Sequence, residues 1–222
     1  MEKKILIFAA TYNEAENIKN FIEKILELNI NLDLLIIDDN SPDKTWEIVN
    51  NYKKNNKNIV LIKRKDKEGL DTAHKLAFNY AKEHNYNYLV TLDADLSHDP
   101  TKIPNFLNEL KDQPFVIGSR YIKDGKNEMK LKRYILSVVG NKIIKFVLGI
   151  NCDDFTSAYR GFNLNMLKNF DINDVSSKGY SFFMETIFRL SEKNIKIFEV
   201  PICFLKDFMK VLKYQKLKYF VV

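Results

Sequence analysis

Two carboxylates two residues apart, in Leu92-Asp93-Ala94-Asp95-Leu96, are the sharpest chemical signal in the chain. They follow the apolar run Tyr88-Leu89-Val90-Thr91, which reads as a buried strand. At a strand end such a pair can share a divalent ion and the phosphates that the ion bridges. Mg²⁺ and Mn²⁺ favour oxygen sites of this kind, completed by substrate phosphate and water. The plainer alternative is a capping Asp ahead of Leu96–Pro100. A second acidic junction, Asp38-Asp39-Asn40-Ser41-Pro42-Asp43, follows Leu34-Leu35-Ile36-Ile37. These residue types suit a turn. A turn alone needs no acidic pair, and one carboxylate can accept from a nucleobase N–H. Neither G-x-G-x-x-G nor G-x-x-x-x-G-K-[ST] occurs, so Rossmann dinucleotide and P-loop readings lose their main support. Without a Gly-rich phosphate cradle, a metal on the Asp pair becomes the natural neutraliser of a diphosphate.

The cations narrow the field further. Lys and Arg total 35, yet only Arg64, Arg120, Arg133, Arg160 and Arg189 are Arg. Asn occurs 24 times and Ala 8 times, the bias of an AT-rich gene in which Lys is the default cation. In such a chain an Arg signals a need for its planar fork, which meets phosphate or carboxylate bidentately. For Arg120 and Arg133 the bland alternative is a solvated surface charge.

The elements that must position these groups follow from periodicity. Strands are predicted at Lys4–Ala10, Leu32–Asp38, Asn58–Lys63, Tyr88–Asp93 and Phe115–Ser119. Helices are predicted at Glu14–Leu28, Thr45–Asn55, Thr72–His84 and Pro100–Leu110. Strict alternation implies an α/β fold, a parallel sheet with helices on both faces. Ligands in such sheets sit beyond the carboxyl ends of the strands, where Thr11–Glu14, Asp38–Ser41 and Asp93–Asp95 would converge. After residue 120 the alternation weakens. Tyr134–Ile150 is an apolar helix with only Lys142 and Lys145 charged, and it fits either a core helix or one lying at a membrane surface. Ser181–Asn194 is a further helix, Ile195–Val200 a strand, and Leu205–Val222 a basic, apolar tail.

Composition bounds the rest. The chain has 222 residues, 45% apolar and 29% charged, enough for one sizeable domain. No segment reads as a transmembrane helix or a signal peptide. Cys152 and Cys203 lack metal-ligand spacing and read as free thiols of a reducing compartment. The net charge of +6 could meet nucleic acid, anionic lipid or a phosphorylated substrate. No basic stripe with interleaved aromatics precedes the tail, which argues against nucleic acid.

Several stretches, taken in order, resemble the inverting family 2 glycosyltransferases of the GT-A fold, and within them the dolichol- or polyprenol-phosphate mannose synthases. They are Thr11-Tyr12-Asn13-Glu14, Ile37–Asp43, Leu92–Pro100 and Gly118-Ser119-Arg120-Tyr121. Arg133, Ser137 and Asn141 follow, then Thr156–Arg160, Lys178–Glu185 and Glu199-Val200-Pro201-Ile202. The resemblance runs from residue 4 to about 204. It implies a GT-A (Rossmann-like), mostly parallel sheet and a C-terminal amphipathic helical segment, with residues 1–204 as the catalytic domain. The implied reaction moves a hexose, mannose from GDP-mannose, onto a dolichyl or polyprenyl monophosphate. Ala10, Tyr12, Glu14, Ile37 and Asp39 match nucleoside-holding positions. Asp93, Ala94 and Asp95 match the diphosphate and metal side, with Ser97 a further ligand to Mg²⁺ or Mn²⁺. Arg120, Arg133 and Ser137 match the acceptor-phosphate clamp. The implied place is the cytoplasm, peripheral at the cytosolic membrane face, directly or through a membrane-anchoring partner.

Departures from the pattern leave alternatives open. Ala10 stands where a Pro is usual, Lys44 where a Gly is usual, and Asp71 where a small residue is usual. Asp71 would either cap the next helix or bring an unwelcome negative charge near a diphosphate. The tail, 205–222, lacks the basic R…G-S-K segment expected there. A frameshift near codon 205 is one hypothesis, since a shifted frame can restore that run. A clean single-frame resequencing without it would refute the idea. The alternatives are therefore a catalytically impaired donor-binding homologue, or a family 2 transferase using another sugar or acceptor.

Overall fold

The computed structural model describes residues 3–204. The expectations for the tail at 205–222 lie outside the described residues. The chain opens with β1 (Ile5–Thr11), α1 (Ile18–Leu26), β2 (Asp33–Asp38), α2 (Thr45–Asn55), β3 (Ile59–Lys63) and α3 (Leu70–Glu83). β4 (Tyr88–Thr91), a 3₁₀ turn at Pro100–Lys102, α4 (Ile103–Glu109) and β5 (Phe115–Ser119) follow. The later part comprises β6 (Lys126–Asn127), α5 (Leu131–Leu148), β7 (Arg160–Asn163), α6 (Ser181–Glu192), β8 (Ile197–Pro201) and β9 (Cys203–Phe204).

Seven strands form one sheet in the order β3-β2-β1-β4-β7-β5-β8. β1 pairs in parallel with β2 and β4, and β5 with β8, so the strand ends at Thr11, Asp38 and Thr91 open on one rim. Alternating side chains serve the two faces. Phe8, Ile37 and Phe162 pack with α3 and α6 on one side. Ile7, Ile36 and Val116 pack with α1 and α4 on the other. In α1, Ile18, Phe21, Ile22 and Ile25 recur at helical spacing and are all buried, each worth about 1.5–3 kcal/mol of transfer free energy.

One expectation from the strand–helix alternation is corrected, while the mostly parallel sheet that the resemblance implies is present. The sheet is not wholly parallel, because β7 runs antiparallel between β4 and β5. Its sequence, Arg-Gly-Phe-Asn, gives no alternation and begins with a charge, although all four residues are buried. The charge is tolerated because Arg160 donates to the carbonyls of Ser157 (2.8 Å), Phe155 (3.1 Å) and Phe183 (2.8 Å). Of the two readings left open for the apolar helix, the core one falls. α5 is not a core helix, since Asn141 is its one buried residue. Asn141 holds its place by donating to Ser137 O and accepting from Phe155 N–H, both at 2.9 Å. Gly149, at φ +64°, terminates the helix in the left-handed conformation that glycine adopts readily. Among the described residues, no helix is long and apolar enough to cross a membrane.

Candidate active site

A cleft of about 850 Å³ opens beyond the carboxyl rim of the sheet. Its walls include Ala10, Tyr12, Glu14 and Asp39 from the first two strand ends. Asp93, Ala94, Asp95 and Ser97 line it after β4, and Arg120, Arg133 and Ser137 after β5. The structure thus brings together all the expected site residues except Ile37. That side chain is fully buried in the core beneath the rim, although Ile37 lies beside Ala10 in the β1–β2 register.

The acidic pair at the end of β2 divides its labour. Asp38 turns inward: Oδ2 accepts from the hydroxyls of Thr11 (2.8 Å) and Ser41 (2.6 Å), and Oδ1 from Ser41 N–H (2.8 Å). Asp39 faces the cleft. Its Oδ2 accepts from Gly69 N–H at 3.0 Å. Its Oδ1 lies 2.9 Å from Arg64 Nη1, off the N–H direction, so the contact is an ion pair and leaves that oxygen without a hydrogen bond. Lys67, which the motif reading missed, stands over the Tyr12 ring at 3.7 Å in the same part of the cleft.

The turn after β4 is strained. Leu96 is fully buried with φ +62°, a conformation a bulky residue adopts only when its surroundings impose it. Ser97 N–H donates to Asp95 Oδ1 (2.9 Å), while Ser97 Oγ is buried with no partner. Asp93 N–H donates to His98 Nδ1 (3.3 Å), which also lies 3.4 Å from Asp93 Oδ2. Desolvation in the cleft raises the Asp93 pKa; His98 and Arg120 oppose the rise and Asp95 adds to it. Desolvation also raises Glu14; a hydrogen bond from Asn17 opposes this, and Asp95, Asp93 and Asp43 reinforce it. Three carboxylates thus share a site with too little compensating charge. That surplus, with the unpartnered Ser97 hydroxyl, fits an oxygen-ligated divalent cation. Among the described residues no group of three His, Cys, Asp or Glu could enclose a metal alone, so further ligands would come from substrate or water.

Across the cleft, Arg120 is not a loose surface charge. Its Nε and Nη2 meet Asp154 Oδ2 and Oδ1, each at 2.7 Å, and Nη2 also donates to Thr156 Oγ1 at 2.9 Å. Asp154 is fully buried, and the hydrogen bonds and charge of the pair outweigh desolvation to raise the Arg120 pKa. Sequence reasoning missed Asp154, for which Asp153-Asp154 before Phe155 was the available hint. The fork is therefore fixed in place, and Nη1 is the nitrogen that this pair leaves over. Ser137 Oγ is 2.7 Å from Tyr121 Oη on the same side.

The sequence pattern described by the glycosyl transferase family 2 model matches residues 6–170. The chain belongs to that family. This glycosyltransferase is 31% identical, over 91% of its length and 84% of the relative's, to an undecaprenyl-phosphate mannosyltransferase of Micrococcus luteus. It is 30% identical to a polyprenol monophosphomannose synthase of Mycolicibacterium smegmatis, over 95% of the chain and 81% of that protein. Its fold resembles that of a Pyrobaculum calidifontis mannosyltransferase solved with GDP-Man and Mn²⁺, with a TM-score of 0.61 and 16% identity. That match covers 94% of this chain and 59% of the other, so the glycosyltransferase spans less than two thirds of that structure's length.

Proposed function

We propose that the cleft transfers mannose from GDP-mannose to a polyprenyl or dolichyl monophosphate with inversion at the anomeric carbon. The observation that carries this reading is the gathering, in one cleft, of Glu14, Asp93 and Asp95 with Arg120 and Arg133. The carboxylates suit a cation-bound diphosphate and the Arg side chains a second, separate phosphate. The names of the two curated relatives support the mannosyl and polyprenyl assignments.

Asp39 would accept from an N–H of the base, while Tyr12 and Lys67 flank the nucleoside. Asp93, Asp95 and Ser97 would hold Mg²⁺ or Mn²⁺. That ion, when bound, supplies Lewis-acid stabilisation of the departing diphosphate. Arg133, Ser137 and the leftover Nη1 of Arg120 would seat the acceptor phosphate. A lipid phosphate is already an anion, so it needs alignment and charge neutralisation rather than a strong general base. Asp154 supplies the alignment by fixing the guanidinium plane.

The acceptor's lipid must be met at a membrane. α5 leaves Leu131, Leu136, Phe146 and Val147 exposed next to the clamp residues Arg133 and Ser137. This supports peripheral contact with a membrane, which the proposal puts at the cytosolic face, directly or through an anchoring partner. Calorimetric titration with GDP-mannose in the presence of Mn²⁺ tests the donor reading. Binding should fall at least about tenfold in Asp95→Ala. Metal-independent binding, or binding unchanged by that substitution, would contradict it.

A further inference from the structure

Asp71, at a position where the family pattern has a small residue, lies in the first turn of α3 and is 8% exposed. It does not line the cleft. Its Oδ1 instead accepts from the backbone N–H of Gly179 at 3.0 Å, across 108 residues of chain. The helix N-terminus stabilises the buried charge further.

Both partners of this bond belong to segments that build the cleft. On the α3 side, Gly69 N–H is held by Asp39, and Arg64 Nη1 donates to Gly69 O (3.3 Å) and Thr72 Oγ1 (2.8 Å). On the α6 side, Gly179 has φ +58° and its carbonyl accepts from Phe182 N–H at 3.2 Å, so it sets the first turn of that helix. Tyr180 follows, 74% exposed, and lines the cleft with Phe183. The other end of the loop is tied by Glu185, which accepts from Ser176 N–H (3.0 Å) and Ser177 N–H (2.6 Å). The tie at Gly179 therefore decides where Tyr180 stands.

We infer that Asp71 is a positioning residue for donor binding: through Gly179 it couples the base-holding Asp39–Gly69 segment to the loop that presents Tyr180 to the cleft. The donor half of this inference rests on the function proposed above, whereas the tie itself does not. Asp71 then helps to build the donor site and does not repel the diphosphate. The two roles differ in what an amide would do. Asn at position 71 keeps an acceptor for Gly179 N–H and removes the charge; Ala removes both.

Amide hydrogen exchange and GDP-mannose–Mn²⁺ calorimetry on the full chain test this with Asp71→Asn, Asp71→Ala and Tyr180→Ala. In Asp71→Ala, exchange at Gly179 should quicken about tenfold and donor binding should weaken about fivefold to tenfold, the size of one ordinary intramolecular hydrogen bond. Asp71→Asn should stay within about twofold of the parent in both readouts. Tyr180→Ala, a change at an exposed residue that should not disturb folding, should weaken donor binding and leave Gly179 exchange unchanged. Unaltered exchange in Asp71→Ala overturns the tie. Tighter donor binding in both Asp71 variants, or unchanged donor binding in Tyr180→Ala, overturns the positioning role. If the parent protein binds no GDP-mannose, the donor reading fails, the donor role of Asp71 falls with it, and exchange still decides the tie.

Discussion

At the scale of single residues, geometry sorts the charges of this glycosyltransferase into those that act and those that hold. The five Arg illustrate this. Arg120 is locked by Asp154, Arg160 is buried among carbonyls, and Arg64 faces Asp39. Arg133 lies on the exposed start of α5 at the cleft, and Arg189 serves Glu185. Three of these five, Arg120, Arg160 and Arg189, bond through more than one guanidinium nitrogen, a geometry that a Lys could not reproduce. Glu185 shows how a holding residue records itself in pH dependence. Burial raises its pKa, but the Ser177 and Ser176 contacts and Arg189 more than offset this and hold it down to about 2. A carboxyl depressed on folding adds stability that is present above its ordinary value of 4.5 and is lost as pH falls toward 2. The depression corresponds to roughly 3 kcal/mol. Glu185→Gln should therefore lower the urea-unfolding free energy at pH 7 by about 2–3 kcal/mol, and the gap to the parent should close between about pH 4.5 and pH 2. A gap independent of pH would mean that the carboxylate charge contributes nothing.

At the scale of elements, β1, β2 and β4 were legible because their apolar runs end in residues that a buried strand cannot carry further. β7 was not, because a short strand buried on both faces by tertiary partners has no periodicity of its own. Turns were partly legible. Among the described residues, five of the eight non-glycine residues at positive φ are Asn, which tolerates that region. Lys44 is another, at φ +61°, and this explains why a Gly is usual at its position. The exposure of α5 could not be read from its composition, since an all-round apolar helix is normally buried. If α5 meets lipid, Leu136→Glu with Phe146→Glu should reduce co-sedimentation with anionic phospholipid vesicles by at least about fivefold. Both sites are exposed, so thermal stability should change by less than about 1 kcal/mol. Vesicle binding that survives the pair of charges would remove α5 from the membrane contact.

At the scale of the whole molecule, the parallel strands β1, β2 and β4 gather the acidic groups on one rim, and the segment from β5 into α5 brings the Arg groups to face them. Motif order foretold that meeting. The sequence did not pair the supporting carboxylates with their partners: Asp154 with Arg120, and Asp71 with Gly179, are each joined by the fold alone. The same cleft gathers carboxylates and Arg side chains, and on the function proposed above these would serve a cation-bound diphosphate and a second phosphate. The most direct test supplies the purified protein with Mn²⁺, radiolabelled GDP-mannose and short-chain polyprenyl phosphate, and counts the label that enters the organic phase. The account predicts transfer by the parent protein and a loss of at least about a hundredfold in both Asp95→Ala and Arg120→Ala. Transfer that persists in either variant, or a parent protein that binds the donor but moves no label, would contradict it.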